Sequence, residues 1–291
     1  MTPPIRIAQV VGNLETGGMQ RMVIALLRGL DGSRYDPVLV HFRDPNHFEQ
    51  EIRERGWTCA KVPMRRHYPR RRLMDFAAFL HEQRIDVVHA HSDYACMAGR
   101  MAALLAGGIR TIAHYQNTYH HRLSSVFIQR EELLAPLTDM IVSCSTGVDT
   151  FLRETFRLGD VPLRIVHNGI DPEPFRLAAA RREDLRAEAG IPQDVFHVVH
   201  TARLEPHKTP DNLLRALAQA DERLRPWLAT FVGGGQMLDE LKALAAELGI
   251  AERVRFPGWS TDIPSYLATA DAYVLCSQNE GLPLALVEAM A

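Results

Sequence analysis

The sequence predicts two α/β domains, each a parallel sheet covered on both faces by helices. Three observations carry that prediction. Short runs rich in Val and Ile alternate with segments of helical period; the alternation restarts after residue 180; and 291 residues is the length of two ordinary domains. Hydrophobic residues make up 46% and charged residues 23%, enough for a core in each half.

The elements follow in order. Ile5–Val11 reads as a buried strand and Met19–Leu30 as a helix. Pro37–Phe42 is a strand, Phe48–Arg55 a helix, Thr58–Val62 a short strand and Leu73–Gln83 a helix. Asp86–His91, Thr111–His114 and Met140–Cys144 are strands, separated by helices over Tyr94–Ala106 and Val126–Ala135. In the second half, strands fall at Phe196–Ala202, Trp227–Val232, Val254–Phe256 and Ala272–Cys276. Helices fall at Pro210–Ala220, Met237–Leu248 and Ile263–Thr269, with another beginning near Pro283. The turn cluster His167-Asn168-Gly169-Ile170-Asp171-Pro172 and the charged segment Arg181–Glu188 separate the halves, giving expected domains of 1–180 and 181–291. The pattern stops inside a helix at Ala291, with no closing strand, so the second domain is expected to be incomplete.

Charge and cysteine usage exclude several classes. The net charge of -2 rules out a whole-protein basic field for nucleic acid. The balance is uneven: residues 1–180 carry 22 Lys+Arg against 19 Asp+Glu, and the remainder 11 against 16. The front half is therefore the one suited to anionic surfaces. Cys59, Cys96, Cys144 and Cys276 are far apart and form no CxxC pair, against a disulfide scaffold or zinc ribbon and in keeping with a reducing, cytoplasmic compartment. No signal peptide or stretch of about 18 apolar residues is evident. No GxSxG elbow or HExxH helix occurs.

The polar residues that could carry chemistry stand where strands end. Gly12 to Gly18 joins the first strand to the first helix; it reads either as a tight turn or as a phosphate-binding loop, without GxGxxG or Walker spacing. Arg203 and Lys208 follow the first strand of the second half, where two cations suit a diphosphate or are simply solvated. Gly233-Gly234-Gly235 follows the next strand, as a flexible turn or a close ligand approach. Glu280 lies in a loop with Gly281 and Leu282, and Glu288 on an apolar helix, where a carboxylate needs hydrogen-bond donors such as sugar hydroxyls or a structural partner. His89 and His91 share a strand face and His114 ends the next strand; a metal site is conceivable, but the residues carry no carboxylate or Cys at ligand spacing. His120 and His121 read as solvated loop residues. Lys61 to Arg72 contains six cations and no acid, either a solvated loop or a contact for an anionic membrane or acceptor.

Taken together, these residues resemble the family 4 glycosyltransferases, retaining enzymes of GT-B architecture with two Rossmann-like domains facing a cleft. Glu280 to Ala291 resembles the family's E-x7-E signature within EGxPxxxxEAMA, and Arg203 with Lys208 resembles its RLxxxK pattern. Gly17-Gly18 looks like the first glycine loop, and His167 to Asp171 like the NG[VI]D turn. Two positions depart from the pattern: Ala202 and Thr209 stand where the family has glycine.

The resemblance implies transfer of a sugar from a UDP- or GDP-linked donor to a hydroxyl acceptor, glycan or lipid-linked, with retention and without a metal. Arg203 and Lys208 would then neutralise the diphosphate, Glu288 hold the ribose, and Glu280 hold sugar hydroxyls or lie under the anomeric region. Gly17, Gly18, Gly234, Gly281 and Leu282 would line the donor, His114 would lie near the donor sugar, and His91 on the acceptor side. It also implies a cytoplasmic protein, peripheral on the membrane through Lys61–Arg72. Family members continue past the EAMA helix. The alternatives are a GT-B-like sugar-nucleotide epimerase or phosphorylase, or an inactive truncated binding protein.

Overall fold

The computed structural model describes residues 3–15, 17–65, 67–119, 123–220 and 226–291; His120, His121 and Arg66 fall outside them. The chain forms two compact units, Met1–Asn168 and Gly169–Ala291. The division lies inside the His167–Pro172 turn cluster, earlier than the expected 180.

The first unit is a seven-stranded sheet of order β3-β2-β1-β4-β5-β6-β7, every pair parallel. Its strands are β1 (Ile5–Leu14), β2 (Tyr35–Asn46), β3 (Thr58–Lys61), β4 (Val87–His91), β5 (Arg110–Tyr115), β6 (Met140–Ser143) and β7 (Leu163–Ile165). The intervening helices are α1 (Gly18–Gly29), α2 (Glu49–Glu54), α3 (Arg70–Glu82), α4 (Asp93–Ala106), α5 (Ser125–Leu134) and α6 (Thr146–Thr155). The central strands are buried: Ala8, Val10 and Val11 of β1 and Val38, Leu39 and Val40 of β2 are shut off from water. Burial on both faces is why they read as continuous apolar runs rather than alternating ones. Helix α4 lies close on this sheet because it is almost entirely Ala, Gly and Cys on its inner side. A Cβ at Gly99 would come within 2.9 Å of Val88. The strand order reverses direction between β1 and β4, the place where open α/β sheets leave a crevice at their carboxyl ends.

A buried charge network holds α4, α5 and β5 together. The Arg100 guanidinium donates to Glu131 Oε2 at 2.6 Å and to the Tyr115 hydroxyl at 3.1 Å, and Tyr115 itself donates to Glu131. Arg100 and Glu131 are 2% and 1% exposed, so each charge depends on the other for its compensation.

The second unit opens with α7 (Glu173–Ala179) and α8 (Arg182–Glu188), which pack on the later helix Ile263–Thr269. This packing is the reason the boundary falls before residue 173. Its sheet has order β10-β9-β8-β11, again all parallel, from β8 (Phe196–Thr201), β9 (Trp227–Val232), β10 (Val254–Gly258) and β11 (Ala272–Tyr273). Helices α9 (Pro210–Ala220), α10 (Leu238–Glu247), α11 (Ile263–Thr269) and α12 (Leu284–Met290) complete it. The core gathers Leu213, Leu214 and Leu217 of α9, Leu241 and Leu244 of α10, and Trp227, Ala229 and Phe231 of β9. Arg186, 1% exposed, donates to the carbonyls of Thr269, Pro192 and Val195 and pairs with Asp271 at 3.1 Å. Burial acts to raise the Asp271 carboxyl, but the His197 amide and the Arg186 and Arg182 guanidiniums hold it below its ordinary value. Among the described residues, no helix is long and apolar enough to cross a membrane.

Candidate functional site

In the second unit, three loops meet at the carboxyl ends of the strands. Arg203 to Lys208 follows β8, Gly233 to Gly235 follows β9, and Ser277 to Pro283 follows β11. The Lys208 ammonium pairs with Glu280 across the junction between β8 and β11, where this sheet reverses direction. Two further bonds tie the same loops: the Gln278 amide donates to the His207 carbonyl at 3.2 Å, and the Thr209 hydroxyl donates to the Cys276 carbonyl. Thr209 sits in the left-handed region, φ 42°. That conformation favours glycine, and the hydroxyl bond to Cys276 compensates for the threonine. Arg203 is exposed on the same loop.

The glycine triplet divides by role. Gly233 and Gly235 have φ of 152° and 158°, and a Cβ at either would meet a backbone oxygen, that of Ala202 at 1.9 Å or of Leu204 at 2.3 Å. These two are needed to lay the loop against Ala202–Leu204. Gly234 has nothing within 4 Å of its Cβ position, and its carbonyl accepts from the Leu204 amide at 2.9 Å. It is the open member of the triplet.

Glu288 lies on α12, 4% exposed and one turn after the buried Leu284. Glu280, Gly281 and Leu282 are half-buried in the preceding loop. Tyr273 at the end of β11 was not legible as a site residue. Burial pushes its phenol up to about 12; bonds with Thr201 pull the other way, and the Glu288 and Glu280 carboxylates add to the rise. Lys208, Glu280, Glu288 and Tyr273 therefore belong to one electrostatic neighbourhood.

In the first unit, the crevice beside β1 and β4 holds a pocket of about 200 Å³, lined by Gly12, Asn13, Arg43, Ser92, Asp93 and Tyr94 among others. Gly17 is the N-cap of α1 and Gly18 its first residue; no side chain caps this helix. The loop is braced by Gln20, which donates to Asn13 Oδ1 at 2.9 Å. Ser92, directly after β4, has φ 77°, a strained backbone at the pocket wall.

His91 and His114 stand side by side in the β4–β5 register. With His89 they form a cluster, ring centroids 4.2, 5.2 and 5.5 Å apart. His91 Nε2 donates to Gln9 Oε1 at 2.8 Å, a partner on β1 that the sequence alone did not single out. Burial holds all three imidazoles neutral: His89 is lowered to about 3, His114 to about 4, and His91 well below the usual range.

The basic stretch divides between a loop and α3. Lys61 pairs with Asp44, and Arg72 with Asp75 at 3.5 Å. Arg70, Arg71 and Arg72 occupy the first turn of α3, which contains no acid. Cations there oppose the helix dipole.

Two parallel sheets, each with its polar loops at the strand ends, define the GT-B fold. Within it, the chain belongs to Glycosyltransferase Family 4. That family's model matches residues 16–174, more than half of the chain, and the model described as Glycosyl transferases group 1 matches residues 181–291. EpsF of Bacillus subtilis, named as a glycosyltransferase without a stated substrate, is 28% identical over 98% of this chain and 77% of its own. The UDP-Gal:alpha-D-GlcNAc-diphosphoundecaprenol alpha-1,3-galactosyltransferase of Escherichia coli is 26% identical over 75% of this chain and 59% of its own length. The crystal structure of Anabaena Alr3699/HepE in complex with UDP aligns with 99% of this chain and 78% of that one, with a TM-score of 0.80 at 21% identity, a likeness of fold.

Proposed function

We propose that this chain transfers a sugar from a nucleotide-diphosphate donor to a hydroxyl acceptor, with retention of anomeric configuration. The observation that carries the reading is the Lys208–Glu280 pair at the strand ends of the second unit, beside exposed Arg203 and buried Glu288. Such a set has a cation for each charged part of a diphosphate and a carboxylate for each polyol. Arg203 forks onto one phosphate, and Lys208 exchanges Glu280 for the other. Their charge stabilises the nucleoside diphosphate as it leaves, so this step needs no divalent ion. Glu288 accepts from the ribose hydroxyls. Glu280, released from Lys208, accepts from the sugar. Gly234, Gly281 and Leu282 let the backbone approach the donor, and Gly17 and Gly18 offer uncapped helix N–H groups to an anion.

His114 is assigned to the donor sugar and His91 to the acceptor, as the family resemblance implies. Retention follows a front-face course in which a leaving phosphate oxygen takes the acceptor proton. The acceptor is glycan or lipid-linked, and the protein works in the cytoplasm, peripheral to the inner membrane face. The exposed arginines opening α3 support the membrane contact, since an anionic surface would relieve their placement against the dipole. UDP in the HepE structure and UDP-Gal in the name of the Escherichia coli relative are in keeping with a uridine donor, and GDP-mannose in the name of a Mycobacterium tuberculosis relative with a guanosine one, so the donor is a UDP- or GDP-linked sugar.

The test is incubation with UDP- and GDP-sugars and a diphosphate-lipid acceptor, following nucleotide release and the anomeric configuration of the product by NMR. Release coupled to an α-linked product from an α-donor supports the reading. An inverted product, or an altered free sugar nucleotide with no acceptor used, contradicts it.

A further inference from the structure

The pocket at the carboxyl ends of β1, β2 and β4 carries a cation on one wall and a carboxylate on the other: Arg43 comes from β2, and Asp93 follows β4 as the first residue of α4. Strand β1 lies between them, so the two walls stand two strand spacings apart, about 10 Å. Arg43 is in register with Asn13 of β1, and its guanidinium leans over that strand. Its Nη2 is 3.8 Å from the Cβ position of Gly12, and its Cζ is 5.9 Å from the centre of the Tyr94 ring. Stacking on the tyrosine holds the arginine at the pocket. Among the described residues Arg43 makes no ion pair, and the neighbouring Asp44 is taken by Lys61. Asp93 is 7% exposed.

Resting on the transferase reading, we propose that this pocket selects the acceptor by a phosphate group, with Arg43 as the specificity-determining residue. The guanidinium forks onto the phosphate oxygens, and Asp93 on the opposite wall accepts from a hydroxyl of the sugar or polyol that bears it. The acceptor class is therefore a phosphorylated sugar or polyol, free or at the head of a lipid carrier. A neutral glycan would leave Arg43 without a counter-charge.

The shape of the pocket narrows the class further. Its volume of about 200 Å³ is below the ~300–1,000 Å³ of pockets that enclose drug-sized ligands, so it takes one ring and its phosphate, not a long chain. Ser92 turns the backbone at the pocket wall with φ 77° and ψ 160°, and its hydroxyl does not cap α4. The pocket thus adds to the planar guanidinium an uncapped start of a 14-residue helix. Donors from two directions suit a tetrahedral phosphate; a planar carboxylate is served by the fork alone. The separation of the walls keeps the bound phosphate away from the Asp93 charge.

The full chain, with UDP present to fill the second unit, is titrated with glucose 1-phosphate, N-acetylglucosamine 1-phosphate and a polyprenyl-diphosphate sugar in detergent micelles. The unphosphorylated sugars and glucuronate are the controls. The expected result is that a phosphorylated compound binds at least 10-fold tighter than its control, and that Arg43→Gln weakens it by about 10-fold or more. Arg53→Gln removes the same charge from an exposed site on α2 and is expected to change nothing. Binding of the free sugar phosphates assigns a soluble acceptor, and binding of the micellar compound alone assigns a lipid carrier. The proposal is overturned if no phosphorylated compound binds, if a sugar or glucuronate binds as tightly, or if Arg43→Gln binds as the wild type or Arg53→Gln does. UDP titration of the same chains reads the transferase account separately: it is expected to be equal in wild type and Arg43→Gln, and its absence from the wild type would count against that account instead.

Discussion

In residues 169–291 the polar groups after the strand ends are charged, and Lys208 is already paired with Glu280. In residues 3–168 three of them are neutral imidazoles on the strands themselves, with four ring nitrogens lacking partners. The two units share a sheet type and a reversal of strand direction, but they differ in the charge and burial of the groups placed there. Paired loop charges can exchange one partner for an anion and return. Buried rings on the strands of a sheet cannot move far.

The contrast extends to how each unit holds its core charges, and this is where the largest stability effect is expected. Arg100 and Glu131 are sealed in the first unit, whereas Asp271 keeps a side chain 25% exposed beside Arg186. Glu131→Ala leaves a buried guanidinium unpaired and is expected to destabilise by about 3–5 kcal/mol in urea unfolding. Asp271→Asn is expected to lose less, because water still reaches its site. Equal losses would break the distinction.

The glycine triplet gives the next effect. Gly233→Ala strains both φ and the contact with the Ala202 oxygen, a loss of roughly 1–3 kcal/mol from the backbone alone. Gly234→Ala is expected to stay within about 0.5 kcal/mol in stability and to act, if at all, on nucleotide affinity. Thermal unfolding of the two variants side by side checks this.

Acid should single out the imidazole cluster. The folded-state values of His89 and His114, about 3 and about 4, lie below the 6.5 of an exposed ring. Between those values the unfolded chain binds more protons, so stability is present above pH 6.5 and is lost as pH falls toward 4. Each ring adds a slope of up to about 1.4 kcal/mol per pH unit. Urea midpoints at pH 7 and pH 5 are expected to differ, and the difference is expected to shrink in His89→Gln. A difference unchanged by that substitution would point to His197, lowered to about 4 by burial in the second unit.

The smallest effect is expected at Thr209. Thr209→Gly relieves about 1 kcal/mol of left-handed strain and removes a hydroxyl bond of similar worth, a net change within about 1 kcal/mol. A larger loss by chemical denaturation would make the Cys276 bond the main tether of the loop.

The same contrast decides what the sequence reveals. That the segments holding Arg203 and Lys208, and Glu280 and Glu288, come together could be expected because each set lies within one short segment after a strand, and the sheet only has to bring those segments together. The strands of both units are legible from apolar runs, with β2 extending to Tyr35–Asn46 beyond the expected Pro37–Phe42. Strand β7 is not, since only Leu163 of its three residues is buried and three residues show no period. Helices α7 and α8 hide in a segment that reads as charged linker, because their anchors are single buried residues such as Phe175 and Leu185. The pairing of His91 with Gln9, 82 positions apart, depends on which strands become neighbours, and no local pattern states that. Tyr273 escapes notice for the same reason: its surroundings come from β8 and α12.

The central claim is that the loops of the second unit hold a nucleoside diphosphate through Lys208. Isothermal titration of UDP and GDP into the wild-type chain and Lys208→Ala tests it most directly. The account predicts saturable binding of a nucleoside diphosphate, weakened about 100-fold or more by the substitution. Equal binding by both chains, or none to either, would contradict it.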